Sequence, residues 1–157
     1  MILKFSKNSK TKIDEILERY PNKQAATLPV LFIAQREFGH LSREAMEAVA
    51  KILETSYAHV YGVATFYTLY NKKPVGKYHV QICGNLSCSI MGGENIQEYL
   101  KKKLKLNFGE TTQDGKFTLS SVECLASCGT GPAMQINEAY YEKLTPEKVD
   151  EILNSLK

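Results

Sequence analysis

The four cysteines of this 157-residue chain, Cys83, Cys88, Cys124 and Cys128, constrain it more than any other feature. They form two pairs, C-x4-C and C-x3-C, separated by 35 residues, and all lie after residue 82. The chain therefore divides chemically into a cysteine-free first part and a second part that carries the chemistry. Asn71-Lys72-Lys73-Pro74-Val75-Gly76 is a polar stretch with both Pro and Gly, which places a seam there and gives expected domains of residues 1–73 and 74–157.

Before the seam the apolar spacing is helical. Ile13, Ile16, Leu17 and Tyr20 share one face of a helix entered through Thr11, with Asp14 three residues on, and stopped by Pro21. A second helix runs to about Phe38 and ends at Gly39, with Pro29 in its first turn or at a kink. Ser42 caps a third, whose Met46, Val49, Ala50 and Leu53 face inward, and Tyr57 to about Thr65 gives a fourth. After the seam the period changes to two. Tyr78, Val80 and Ile82 alternate with His79, Gln81 and Cys83 as a strand ending at the first cysteine. A helix carrying Ile96, Tyr99, Leu100 and Leu104 follows, then a strand from Phe117 to Cys124. Ala133–Asn137 and Tyr140–Leu144 form a hairpin, and Thr145-Pro146 opens a last helix. The expected fold class is α+β: an N-terminal helical bundle, then β-α-β-β-β-α with one parallel crossover and one hairpin, the thioredoxin-like arrangement with a mixed sheet.

Each cysteine pair thus follows a strand, and if those strands are neighbours the four thiols converge on one loop surface. A [2Fe-2S] cluster needs two thiolates on each iron, which accounts for the pairing. A four-cysteine zinc site also uses four thiolates, although its usual C-x2-C knuckles are absent, and spacing alone leaves it a competitor. A thioredoxin dithiol needs C-x-x-C. A Rieske centre needs two histidines, and neither cysteine loop has one. Gly84, Gly129 and Gly131 keep side chains away so that backbone N–H groups can approach sulfur. Pro132, just before a strand, suggests a cis bond at Gly131–Pro132. His40, His59 and His79 are far apart and read as structural or surface residues.

Composition narrows the partners. Twenty basic against seventeen acidic residues give a charge of only +3, so nucleic acid is not an expected partner, and the run Lys101-Lys102-Lys103 reads as a solvated helix end. No stretch approaches the ~20 apolar residues of a membrane span, and the first residues, Met1 to Lys7, lack a secretory signal's apolar core. A cytosolic chain is expected, and in a reducing cytosol cysteines bind metal or do redox chemistry more often than they form disulfides. No G-x-G-x-x-G or phosphate-binding loop is present.

Four phrases carry a resemblance: Val60-Tyr-Gly-Val-Ala-Thr-Phe-Tyr67, Pro74-Val-Gly-Lys-Tyr-His-Val-Gln-Ile-Cys83, Glu123-Cys-Leu-Ala-Ser-Cys-Gly-Thr-Gly-Pro132 and Met134-Gln-Ile-Asn137. From about Leu28 to Leu153 the chain resembles the E-type subunit family of NADH:quinone oxidoreductase, respiratory complex I. The resemblance implies a thioredoxin-like domain with one [2Fe-2S] cluster, Cys83 and Cys88 on one iron and Cys124 and Cys128 on the other. It implies docking on the flavin- and NADH-binding subunit, which holds FMN and NADH, among other peripheral-arm subunits on the cytoplasmic face of the membrane, without direct membrane insertion. The cluster would exchange single electrons with FMN, so the chain would belong to an enzyme without containing a complete active site. With four thiolates its potential would be low, about −400 mV as in plant-type ferredoxins. Ser127 and Gly131 stand where the family more often has Ala, departures that bear on the potential. The same module serves NAD-linked hydrogenases and formate dehydrogenases, which the sequence does not separate from complex I.

Overall fold

The computed structural model describes residues 3–156; Met1, Ile2 and Lys157 lie outside the described residues. The chain forms two compact units, Met1–Pro74 and Val75–Lys157.

The first unit is helical: α1 Lys7–Leu17, α2 Thr27–Phe38, α3 Arg43–Ile52 and α4 Tyr57–Phe66, with a short 3-10 turn over Lys23–Ala26. Side-chain oxygens cap three of these helices, Ser6 accepting from the N–H of Ser9, Ser42 from Ala45 and Ser56 from His59. Helix α1 therefore begins four residues before the expected Thr11. The Thr11 hydroxyl instead donates back to the Lys7 carbonyl inside the helix, and α1 ends at Leu17, leaving Tyr20 exposed beyond it. Pro29 sits in the first turn of α2, where its missing N–H costs no helical bond, and Gly39 ends that helix with φ 81°. Ile13, Val30, Leu31, Val49, Val60 and Tyr70 are at the centre of this unit's core.

The second unit contains β1 Tyr78–Cys83, α5 Leu86–Ile90, α6 Gly93–Leu104, β2 Phe117–Val122, β3 Met134–Ile136, β4 Ala139–Tyr141 and α7 Pro146–Ser155. The sheet order is β2-β1-β3-β4, with β1 parallel to β2 and antiparallel to β3, and β3 antiparallel to β4. The mixed sheet and the crossover match the expected α+β class. Two details differ. Helix α5 is an additional element, and the hairpin strands are shorter than expected, turning at Asn137 with φ 54°. Val80, Ile82, Leu119 and Met134 from the sheet bury against Ile96 and Leu100 of α6 and Val149 and Leu153 of α7. Truncating a residue such as Ile82 to Ala in this core costs about 2–5 kcal/mol.

Candidate metal centre

Parallel pairing brings the ends of β1 and β2 side by side, with Cys83 opposite Val122 in the register. Cys83 is thus the last residue of β1, and Cys124 stands two residues beyond β2. Cys88 lies within α5 rather than in a loop, and Cys128 opens a one-turn 3-10 helix, Cys128–Thr130. Cys83 and Cys88 are buried, whereas Cys124 and Cys128 are exposed. The segments that bear the thiols adjoin: Cys83 and Cys88 share one buried cluster, Cys124 is close enough to Cys83 to lower its pKa, and Cys88 lies within electrostatic reach of Cys128. Among the described residues no three His, Cys, Asp or Glu side chains are grouped as a ready site for one metal ion.

Backbone N–H groups converge on these sulfurs. The N–H of Ala126 donates to Cys124 Sγ over 3.2 Å, and the N–H groups of Asn85 and Leu125 beside Cys83, and of Ala133 beside Cys88, act to lower those thiols' pKa values. Burial pushes the Cys83 thiol up, but the two N–H donors and the neighbouring thiols outweigh it, so its pKa falls below the usual thiol value. Cys88 moves the other way. Burial comes first, then the hydrogen bond with Cys83, and the Ala133 N–H compensates only in part, so this thiol is raised.

Gly131 keeps a side chain away from sulfur as expected, whereas Gly84 lies against Ser121 and Val122. The N–H of Gly84 donates to the Val122 carbonyl over 2.8 Å, and the donors to sulfur are non-glycine residues. Gly131 matters for space, because a Cβ there would stand 3.3 Å from Cys88 Sγ and 3.4 Å from Met91 Sδ. Its bond to Pro132 is cis. Sequence reasoning missed Gly93, where a Cβ would meet the Cys88 carbonyl oxygen at 2.7 Å. It also missed Glu142, which accepts hydrogen bonds from Ser127 and Thr130. His79 is half-buried and its Nε2 lies 2.8 Å from Ser120 Oγ, away from the thiols, and His59 lies in the other unit against Gln24 and Thr27.

A family model described as thioredoxin-like [2Fe-2S] ferredoxin matches residues 13–157. The chain belongs to this family. Its relatives within the thioredoxin-like [2Fe-2S] ferredoxins include the second E-type subunit of NADH-quinone oxidoreductase from Rhizobium meliloti (strain 1021), 42% identical over 146 residues covering 93% of this chain and 87% of that protein. The E-type subunit of NADH-quinone oxidoreductase from Rickettsia conorii (strain ATCC VR-613 / Malish 7) is 44% identical over 155 residues, 97% of this chain and 93% of that protein. The fold is also similar to part of an NAD+-reducing [NiFe]-hydrogenase in the air-oxidized state, with a TM-score of 0.72, 17% identity and coverage of 83% of this chain but only 22% of that chain.

The cofactor of a thioredoxin-like [2Fe-2S] ferredoxin is the cluster in its name, and the donor set here suits it. The two cysteine-bearing segments adjoin in one region, and the Ala126 N–H on Cys124 Sγ offsets part of the negative charge that thiolates and sulfides would bring.

Proposed function

We propose that this chain is the electron-transfer subunit of an NADH:quinone oxidoreductase, in which Cys83 and Cys88 hold one iron of a [2Fe-2S] cluster and Cys124 and Cys128 hold the other. In this reading residues 74–157 are the cluster domain and residues 1–73 a helical domain. The observation that carries it is the convergence of the two cysteine-bearing segments at the paired ends of β1 and β2, where Leu125 packs with Cys83 and Cys88 and Gly131 lies against Cys88 Sγ. When bound, the cluster supplies a one-electron store at low potential.

The chain's own residues do the rest. Strand β1 and helix α5 fix the buried pair, and the segment after β2 presents the exposed pair. Ala126 stabilises thiolate sulfur at Cys124 by a charge-assisted hydrogen bond, and the N–H groups of Asn85 and Leu125 favour the thiolate at Cys83, as that of Ala133 does at Cys88. Burial of Cys83 and Cys88 keeps water from one side of the site.

The partner in this reading is the flavin- and NADH-binding subunit, with single electrons exchanged with its FMN on the cytoplasmic side of the membrane. Leu86, Ile90 and Met91 flank Cys88 in sequence and are 71%, 77% and 50% exposed, apolar residues suited to docking near that cysteine. Among the described residues no helix is long and apolar enough to cross a membrane.

Copurification of the tagged chain from native cells tests the assignment. A flavoprotein that oxidises NADH, together with quinone-reducing subunits, is expected; a hydrogenase or formate dehydrogenase catalytic subunit in their place would contradict it.

A further inference from the structure

Glu142 follows β4, and the residues after it run back along the segment that bears Cys128. The backbone N–H of Lys143 donates to the Thr130 carbonyl over 2.7 Å, and that of Leu144 donates to the Pro132 carbonyl over 3.1 Å. The half-buried Glu142 carboxylate faces the same segment. One of its oxygens, Oε1, accepts from the hydroxyl of Ser127 and from that of Thr130, the latter over 2.6 Å. The two hydroxyls lie 3.1 Å apart, and the Thr130 N–H closes the turn on the Ser127 carbonyl over 3.1 Å. Ser127 and Thr130 bracket Cys128, so a single carboxylate oxygen fixes both flanks of the turn that presents this thiol.

We propose that Glu142 is a positioning residue for the cluster. It locks the Cys128 turn and keeps the hydroxyls of Ser127 and Thr130 engaged with itself. This rests on Cys128 being a cluster ligand, as proposed above. Two consequences for the potential have the same sign. A carboxylate near a cluster already negative opposes the gain of an electron, and hydroxyls committed to Glu142 cannot donate to sulfur, where they would favour the reduced state. The residue therefore holds the potential down. The hydroxyls in return hold the Glu142 carboxyl below the usual carboxylate range, Ser127 contributing most and Thr130 next, so it is charged at neutral pH. Ser127, a departure from the commoner Ala, gains a structural reason: it supplies one of the two donors that make the lock.

The test uses the full chain loaded with cluster, as wild type, Glu142→Gln and Glu142→Ala, with redox titration followed by EPR and iron release to a chelator. Glu142→Gln removes the charge and keeps an acceptor oxygen. It is expected to titrate at a more positive potential while releasing iron at close to the wild-type rate. Glu142→Ala is expected to shift in the same direction and to release iron several-fold faster, with Gln as the rescuing replacement. Normal loading of all three proteins with identical potentials and release rates would overturn the role of Glu142 and leave the ligand assignment intact. A Cys128→Ala chain that loads and titrates like wild type would instead overturn that assignment, and the Glu142 proposal with it.

Discussion

The backbone N–H of Cys83 donates to the carbonyl of Ala133 over 3.1 Å, and Ala133 packs with both Cys83 and Cys88 in one buried cluster. One residue at the entry to β3 therefore registers both members of the first cysteine pair. The first link extends the antiparallel β1–β3 ladder, so the cysteines inherit the rigidity of the sheet. Strand pairing thus sets the position of Cys83, while α5 carries Cys88.

Gly93 gives the clearest steric prediction. A Cβ there would stand 2.7 Å from the carbonyl oxygen and 2.9 Å from the carbonyl carbon of Cys88, and the main chain cannot rotate aside as a side chain would. Gly93→Ala should cost about 1–3 kcal/mol and lower cluster loading by displacing Cys88. Urea unfolding and iron content of the purified variant measure both; wild-type values in both would contradict the packing described.

His79 should be dispensable for the cluster. Burial pushes its pKa below the ordinary 6.5, so the fold favours the neutral ring. The stability it contributes is complete above the unfolded-state value of about 6.5 and is lost as pH falls through the lower folded value. His79→Gln should keep the visible spectrum and show a flatter dependence of stability on pH below about 6.5. Loss of the spectrum would show that His79 belongs to the site.

These particulars separate what the sequence could reveal from what it could not. The alternation of Tyr78, Val80 and Ile82 announces β1 and so fixes Cys83 at a strand end, because a half-buried strand imposes a period of two. Helix α5 escapes such reading: Leu86–Ile90 is five residues long, too short to display a period, so Cys88 reads as a loop residue. Ser6 and Thr11 both resemble helix caps, and only the bond from the Ser9 N–H identifies Ser6. Glu142 is 15 residues from Ser127, and no local pattern predicts a contact made by the return of a hairpin.

Tyr70 carries a prediction for the helical unit. Its hydroxyl donates to the Leu28 carbonyl over 2.8 Å, and burial, aided by Tyr67, pushes its pKa from 10.0 up to about 12. Tyr70→Phe should cost about 0.5–1.5 kcal/mol at neutral pH through the lost hydrogen bond. The raised folded value means that this stability is whole below pH 10 and is lost as pH rises toward about 12. Wild type should therefore lose stability relative to Tyr70→Phe across that window, as read from urea midpoints by circular dichroism. Parallel curves would contradict the assigned burial.

The central claim is that four thiolates hold one [2Fe-2S] cluster. Iron and acid-labile sulfide analysis with a reduced-state EPR spectrum, on wild type and on Cys124→Ala and Cys128→Ala, tests it most directly. Iron and sulfide in equal amounts with a [2Fe-2S] signal are expected in the wild type, with both lost or drastically reduced in each variant. Zinc without an EPR signal, or an intact signal in the cysteine variants, would contradict the account.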